Sequence, residues 1–215
     1  MPNPTEPSPI TLVESQVRAA LDGFPRYLAD RPGLRRAAVA VTLVGSAGSA
    51  ATDVLITRRA ATLRAHSGQW ALPGGRCDAG ETVPDAARRE LAEELGLALP
   101  ESAVLGRLDD YPTRSGYLMS PVVLWAGPVG QRTEHPLRPR RAEVAAVYGI
   151  PLHQLDVEPN LLTIPESSSP VIRIPLMGRW LHAPTAAVLY QFRELVLHRR
   201  PTPVAHFEQP VFAWR

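Results

Sequence analysis

Glu90, Glu93 and Glu94 fall within about one turn of a segment that reads as a helix. At 100° per residue they share an arc about 100° wide, beside the side that carries Ala87, Leu91 and Leu95. Carboxylates crowded in this way repel one another, by a few tenths of a kcal/mol per pair when exposed, about that much again or more when partly buried. A divalent cation relieves that repulsion. A donor set of carboxylate oxygens without thiolate or imidazole suits Mg²⁺ or Mn²⁺. Helix charge patterning by itself equally allows a solvated acidic face.

The residues around these glutamates must hold them in place. Thr82 with Asp85, and Pro84 in the first turn, mark a helix start, and Gly96 marks its end, which predicts a helix from about Val83 to Leu95. Ahead of it, Gly74–Gly75 and Gly80–Glu81 make a loop that can bend tightly and bring backbone close to a ligand. Glu81 and Arg89 carry opposite charges and can pair, fastening the loop to the helix.

The stretch Gly75–Leu97 resembles the Nudix box, G-x(5)-E-x(7)-R-E-U-x-E-E-x-G-U with U aliphatic. Gly75, Glu81, Arg89, Glu90, Leu91, Glu93, Glu94, Gly96 and Leu97 meet its fixed positions. Upstream, residues 55–75 are similar to the coenzyme A pyrophosphatase branch of that family, through Leu55, Thr57, Arg59, Arg64, His66, Gly68, Pro73, Gly74 and Gly75. Trp70, Ala71 and Leu72 depart from that branch, which usually has phenylalanine where Leu72 stands. Downstream, the segment from Glu143 to Leu152 resembles one common in Nudix domains.

The resemblance implies an α/β fold, a Nudix-type α/β/α sandwich with a mixed β-sheet between helices. It implies a Mg²⁺- or Mn²⁺-dependent hydrolase that splits the diphosphate of coenzyme A or acyl-coenzyme A. It makes Glu93 and Glu94 metal ligands, Glu90 a ligand or the general base, and Gly75 the donor of a backbone carbonyl. Glu81 and Arg89 support the loop on the helix. Glu143 is a second candidate for base or extra ligand, against an ordinary solvated residue at a strand edge. Arg59 and Arg64 are candidates for substrate phosphates, against surface arginines. His66 either meets a phosphate or bonds structurally, and Gly74 lets backbone approach the substrate. Other nucleoside diphosphate derivatives, and a binding module without catalysis, are the competing readings.

Elsewhere the pattern predicts a helix over Thr11–Phe24, with Thr11 and Glu14 at capping-box spacing, and buried strands at Ala37–Val44 and Asp53–Thr57. Gly45–Ala50 between those strands reads as a hairpin connection, since it lacks a GxGxxG pattern and no helix comes after it. Further strands are expected at Val122–Ala126, Glu143–Ile150 and Ile172–Pro175, a loop at 156–170, and a helix at Thr185–His198. These divide the chain into an N-terminal extension with one helix (1–34), a catalytic domain (35–200) and a tail (201–215). The tail's aromatic residues are expected to pack against their own domain or against a second copy in a homodimer. Trp70 reads as packing, Cys77 as incidental, and Arg138, Arg140 and Arg141 as a solvated loop.

The 215 residues are enough for one large domain with a substantial core. All 23 basic residues are arginine, which excludes a Walker A lysine, a Schiff-base lysine and a lysine general base. A net charge of +2 makes no case for nucleic acid. The single cysteine excludes an internal disulfide and a cysteine zinc cluster. No apolar run reaches the ~18–20 residues of a membrane span, and the polar, proline-rich start has no leader pattern, so the cytoplasm is the expected compartment.

Overall fold

The computed structural model describes residues 8–29, 31–45, 51–61, 68–128 and 136–214. In chain order the elements are α1 (Glu14–Asp22), β1 (Arg35–Gly45), β2 (Thr52–Arg59), β3 (Trp70–Ala71), β4 (Gly74–Arg76) and α2 (Val83–Leu95). Next come β5 (Val104–Arg107), β6 (Tyr111–Pro112), β7 (Tyr117–Pro128), β8 (Val144–Pro151) and α3 (Leu152–Leu155). The last are β9 (Asn160–Ile164), β10 (Ser167–Leu176), β11 (Arg179–His182) and α4 (Thr185–Phe192).

The main sheet is mixed. β1 runs parallel to β7 and antiparallel to β2 and β4, while β8 lies antiparallel on the far side of β2. One edge of β1 serves two partners in turn. Its end pairs with β2 at Leu43–Gly45, and its start pairs with β4 at Ala37–Val39. Between them the Ala40 N–H donates to the Pro73 carbonyl at 2.8 Å, so this edge passes from one partner to the other without losing the bond. That split brings Gly74–Gly75 against the sheet and aims the chain into α2.

Alternation along the strands fills two cores. Val39, Val41 and Leu43 of β1 face a core shared with Val17 and Leu21 of α1 and Val188 and Phe192 of α4. Ala38 and Ala40 face the other way, toward Ala86, Ala87, Leu91 and Leu95 of α2. Alanine on both sides lets α2 lie close to the sheet. The sheet is thus covered on both faces, as the α/β/α expectation requires.

Helix α2 occupies the predicted span. The Asp85 N–H donates to Thr82 Oγ1 at 3.3 Å, and Gly96 closes the helix in the left-handed region at φ 69°. The predicted hairpin is confirmed by the antiparallel pairing of β1 and β2, although residues 46–50 of its turn lie outside the described residues. The first helix is shorter than predicted. It starts at Glu14 behind Val13, whose N–H donates to the Gln16 side chain, so Thr11 is not its cap.

The expected loop at 156–170 is a correction. β9 and β10 form a hairpin there, and with β11 they make a separate three-stranded antiparallel sheet. The prolines that argued for a loop sit where the ladder does not need their missing N–H. Pro165 lies between the strands, and Pro170 falls where the register shifts between Ser167 and Val171. Ile172, Ile174, Leu176 and Leu181 of this sheet join the α1–α4 core. The final helix is α-helical only to Phe192 and continues as a π-helical turn over Arg193–Leu197, where the Arg193 guanidinium meets Asp156 at 2.8 Å. In the tail, Val204 and Phe207 are buried in the same core, and the Tyr111 hydroxyl donates to the Phe207 carbonyl at 2.8 Å. Among the described residues no helix is long and apolar enough to cross a membrane.

Candidate active site

Arg89 is the organising residue of the loop–helix junction. Its Nε and Nη2 donate to the two oxygens of Glu81 at 2.9 and 3.0 Å, the bidentate geometry that suits guanidinium and carboxylate. The same Nη2 donates to the Arg76 carbonyl at 2.9 Å, and Nη1 reaches Glu90 Oε1 at 2.8 Å and Glu93 Oε1 at 3.4 Å. Glu81 completes the clasp by accepting from the Asp78 N–H at 2.9 Å. One cation thus ties the loop after β4 to the first two turns of α2. The Arg89 bond holds the Glu81 carboxyl below the usual carboxylate range, and the guanidinium pKa is raised in return, chiefly by Glu81.

The predicted glutamates differ in their surroundings. The Glu93 side chain is half-exposed, whereas Glu94 is buried at 5% exposure. Burial pushes the Glu94 carboxyl up to about 7, and the neighbouring charge of Glu90 pushes the same way. The Gly74 N–H bonded to it and the charge of Arg59 oppose that shift. Glu90 is also raised by burial, against the pull of Arg89. Glu143 enters from the start of β8, and its charge disfavours the ionised forms of both Glu90 and Glu94.

Backbone bonds dock the segment bearing Glu143 onto the end of α2. The Arg138 N–H donates to the Leu95 carbonyl at 2.6 Å and the Arg140 N–H to the Glu94 carbonyl at 2.8 Å, which satisfies carbonyls the helix leaves unpaired. Arg140 Nη1 lies 3.0 Å from Glu143 Oε1. The arginines of this loop are largely exposed, as predicted, yet their main chain positions an acid.

Gly75 lies close against the Glu90 carboxylate. A Cβ there would collide with Glu90 Oε1 and lie 2.6 Å from its Cδ. Its backbone therefore stands directly against the acidic face. The oxygens available to a hard divalent cation are those of Glu90, Glu93, Glu94 and Glu143 and the Gly75 carbonyl. Among the described residues no group of three His, Cys, Asp or Glu side chains is arranged to hold a metal ion. The donors suit Mg²⁺ or Mn²⁺ in type. They suit it in charge as well, because a cation offsets the repulsion and burial that raise Glu90 and Glu94.

Arg59, at the end of β2, points its charge toward this cluster, and its buried Nε has no hydrogen-bond partner among the described residues. Arg64 and His66 lie outside the described residues. Burial raises the Cys77 thiol pKa, in keeping with an inert cysteine. Trp70 packs on Tyr148 with ring centroids 4.7 Å apart, as the packing expectation has it, and it also lines a cleft.

That cleft is the main feature the sequence did not reveal. It has a volume of about 890 Å³, and Arg59, Gly74 and Gly75 share its lining with Trp180 and His182 of β11 and Phe212 of the tail. No motif marks the latter group. Only the fold brings β11 and the tail to face Gly74–Gly75.

A family model described as the NUDIX domain matches residues 33–173. The mitochondrial coenzyme A diphosphatase of Homo sapiens is 38% identical over 144 residues, which are 66% of this chain and 58% of that protein. Nudix hydrolase 3 of Caenorhabditis elegans is 33% identical over 132 residues, covering 61% of this chain and 53% of the relative. The chain spans little more than half the length of these curated relatives. Among solved structures, a Nudix hydrolase from M. smegmatis, RenU, is similar with a TM-score of 0.44 and 22% identity, covering 79% of this chain and 91% of that one.

Proposed function

The chain belongs to the NUDIX family, and from that premise we propose that it hydrolyses the diphosphate of coenzyme A or acyl-coenzyme A, with Mg²⁺ or Mn²⁺ as cofactor. The products are adenosine 3′,5′-bisphosphate and 4′-phosphopantetheine or its acyl derivative. The observation that supports the hydrolase reading is the Arg89 clasp, which ties Glu81 and the Arg76 carbonyl of the glycine loop to Glu90 and Glu93 on α2. The choice of coenzyme A is supported by the match over residues 55–75 and by the likeness to a relative named a coenzyme A diphosphatase.

In this reading Glu93, Glu94 and Glu90 hold the ion together with the Gly75 carbonyl. When bound, the ion neutralises phosphate oxygens and acidifies water. Glu90 or Glu143 takes the proton of the attacking water, because both carboxylates belong to the same charged cluster. Glu81 and Arg89 keep the loop from drifting off the helix. Arg59, with Arg64 and His66, meets the substrate phosphates, and the Gly74 backbone lets them approach. Arg59 is suited to this because its buried Nε lacks a hydrogen-bond partner among the described residues. The substrate is a small-molecule nucleotide, and the proposed compartment is the cytoplasm, on the lone thiol.

The departure of Trp70–Leu72 from the coenzyme A branch favours one second reading, a Nudix hydrolase of another nucleoside diphosphate derivative. Leu72 is buried, so its change from phenylalanine alters packing beneath the cleft. Incubating the protein with Mg²⁺ and a panel of coenzyme A, nucleotide sugars, dinucleotides and nucleoside triphosphates separates the two readings. The expected result is adenosine 3′,5′-bisphosphate from coenzyme A. Turnover confined to another nucleotide rejects the substrate, and silence toward all of them rejects the enzyme in favour of a binding module.

A further inference from the structure

Trp180, on β11, is 41% exposed and Phe212, in the tail, is 55% exposed, although both line the cleft that reaches Gly74–Gly75. Apolar groups left open inside a concavity of this size mark a ligand-facing wall rather than a scattered surface. The wall is firmly backed. Arg173 lies over the Trp180 ring at 3.9 Å, the rings of His182 and Phe212 meet edge to face at 5.2 Å, and Trp214 Nε1 donates to the Gln209 carbonyl at 2.9 Å. Trp180, His182 and Phe212 all lie beyond residue 173, where the family match ends. The catalytic loop is common to the family, whereas this wall is supplied by residues C-terminal to the matched segment.

Two polar groups of the cleft, Thr113 Oγ1 and Gln209 Oε1, are bonded within the protein. Thr113 Oγ1 donates to the Tyr117 carbonyl at 3.0 Å and is bonded to Ser115, and Gln209 Oε1 accepts from the Arg114 N–H at 2.7 Å. Burial and the charge of Arg173 lower the His182 pKa and favour its neutral form. A flexible apolar chain needs only area, which the open faces of Trp180 and Phe212 supply. The arginine at the other end, Arg59, suits phosphate.

We propose that Trp180, His182 and Phe212 form a specificity wall that takes the acyl-pantetheine arm of the substrate, so that acyl-coenzyme A is preferred to the free thiol. The proposal rests on the coenzyme A reading above and assigns the far half of the same site.

Two measurements separate the wall from the reading beneath it. The first is calorimetric binding of octanoyl-pantetheine, which carries neither phosphate nor nucleotide. The second is the ratio of kcat/KM for octanoyl-coenzyme A to that for coenzyme A. The wild type is expected to bind octanoyl-pantetheine and to favour the acyl substrate by about tenfold or more, through KM. Trp180→Ala is expected to bring the ratio close to one. Phe212→Ser, at a more exposed position, supplies a second variant and is expected to lower the ratio several-fold. A wild-type ratio near one, or a ratio that neither variant moves, overturns the wall while coenzyme A turnover leaves the underlying reading intact. Binding of octanoyl-pantetheine that Trp180→Ala abolishes, without any turnover of coenzyme A, supports the wall and overturns the diphosphatase reading. Competition at the wall by adenosine 3′,5′-bisphosphate in place of octanoyl-pantetheine overturns the assignment of the arm.

Discussion

The loop and helix from Gly75 to Leu97 are held by contacts made inside one short stretch of chain, whereas the cleft wall is gathered from β11 and the tail. In the first region a single guanidinium satisfies Glu81, Glu90 and the Arg76 carbonyl, all within fourteen positions of it. In the second, Trp180 and Phe212 share a cleft with Gly74 only because a three-stranded sheet and the tail fold back over the core. The first region is built from charges and is paired almost throughout. The second is built from rings and is left open. On the proposed reading, the chemistry of cleavage sits where local sequence dictates geometry, and selection among substrates where the fold does.

Substitutions sharpen this contrast in order of size. Glu93→Gln and Glu94→Gln remove a charge from the acidic face while keeping its shape. Each is expected to lower kcat by at least ~10³, about 4 kcal/mol of barrier, without lowering the melting temperature. A fall in melting temperature that parallels the loss would assign these residues to stability instead. Arg89→Ala is expected to cost about 10² in kcat by releasing the loop, and about 2 kcal/mol in denaturant unfolding by stranding Glu81 and Glu90. Full activity in that variant would show that the loop holds its position without the clasp.

Glu94 adds its own pH dependence to stability. Its carboxyl titrates near 7 in the folded protein against an ordinary value of 4.5. The folded state therefore keeps a proton that the unfolded state has released, so the contribution of Glu94 to metal-free stability is greatest below about pH 4.5. It falls as pH rises to about 7 and levels off above, by about 3 kcal/mol in all from this group. Glu94→Gln is expected to flatten that slope in urea unfolding measured across the range. Mg²⁺ is expected to oppose the fall above pH 7, where Glu94 is ionised and free to ligate. A slope unchanged in the variant would place the titrating group elsewhere.

Much of the catalytic half was legible in the sequence. Spacing placed α2 at Val83–Leu95, and the charges of Glu81 and Arg89 announced their pairing. The parallel pairing of β1 with β7 and the split edge of β1 were not legible, because strand order leaves no mark on a single strand's pattern. Pro159, Pro165 and Pro170 misled the reading of 156–170. Proline breaks a strand only where its N–H is needed, and here a turn and a bulge spare it. Trp180 carried no sequence signal, and Phe212 only the general expectation that the tail's aromatic residues pack. An aromatic residue in a short strand or a tail reads as packing until the fold shows which surface it faces.

The central claim is that the acidic face of α2 exists to hold a divalent cation. Calorimetric titration of Mn²⁺ into the wild type and into Glu94→Gln at pH 8 tests it most directly. The account predicts saturable binding by the wild type and affinity at least about tenfold weaker in the variant. Equal affinity in the two proteins, or no binding by either, would contradict it.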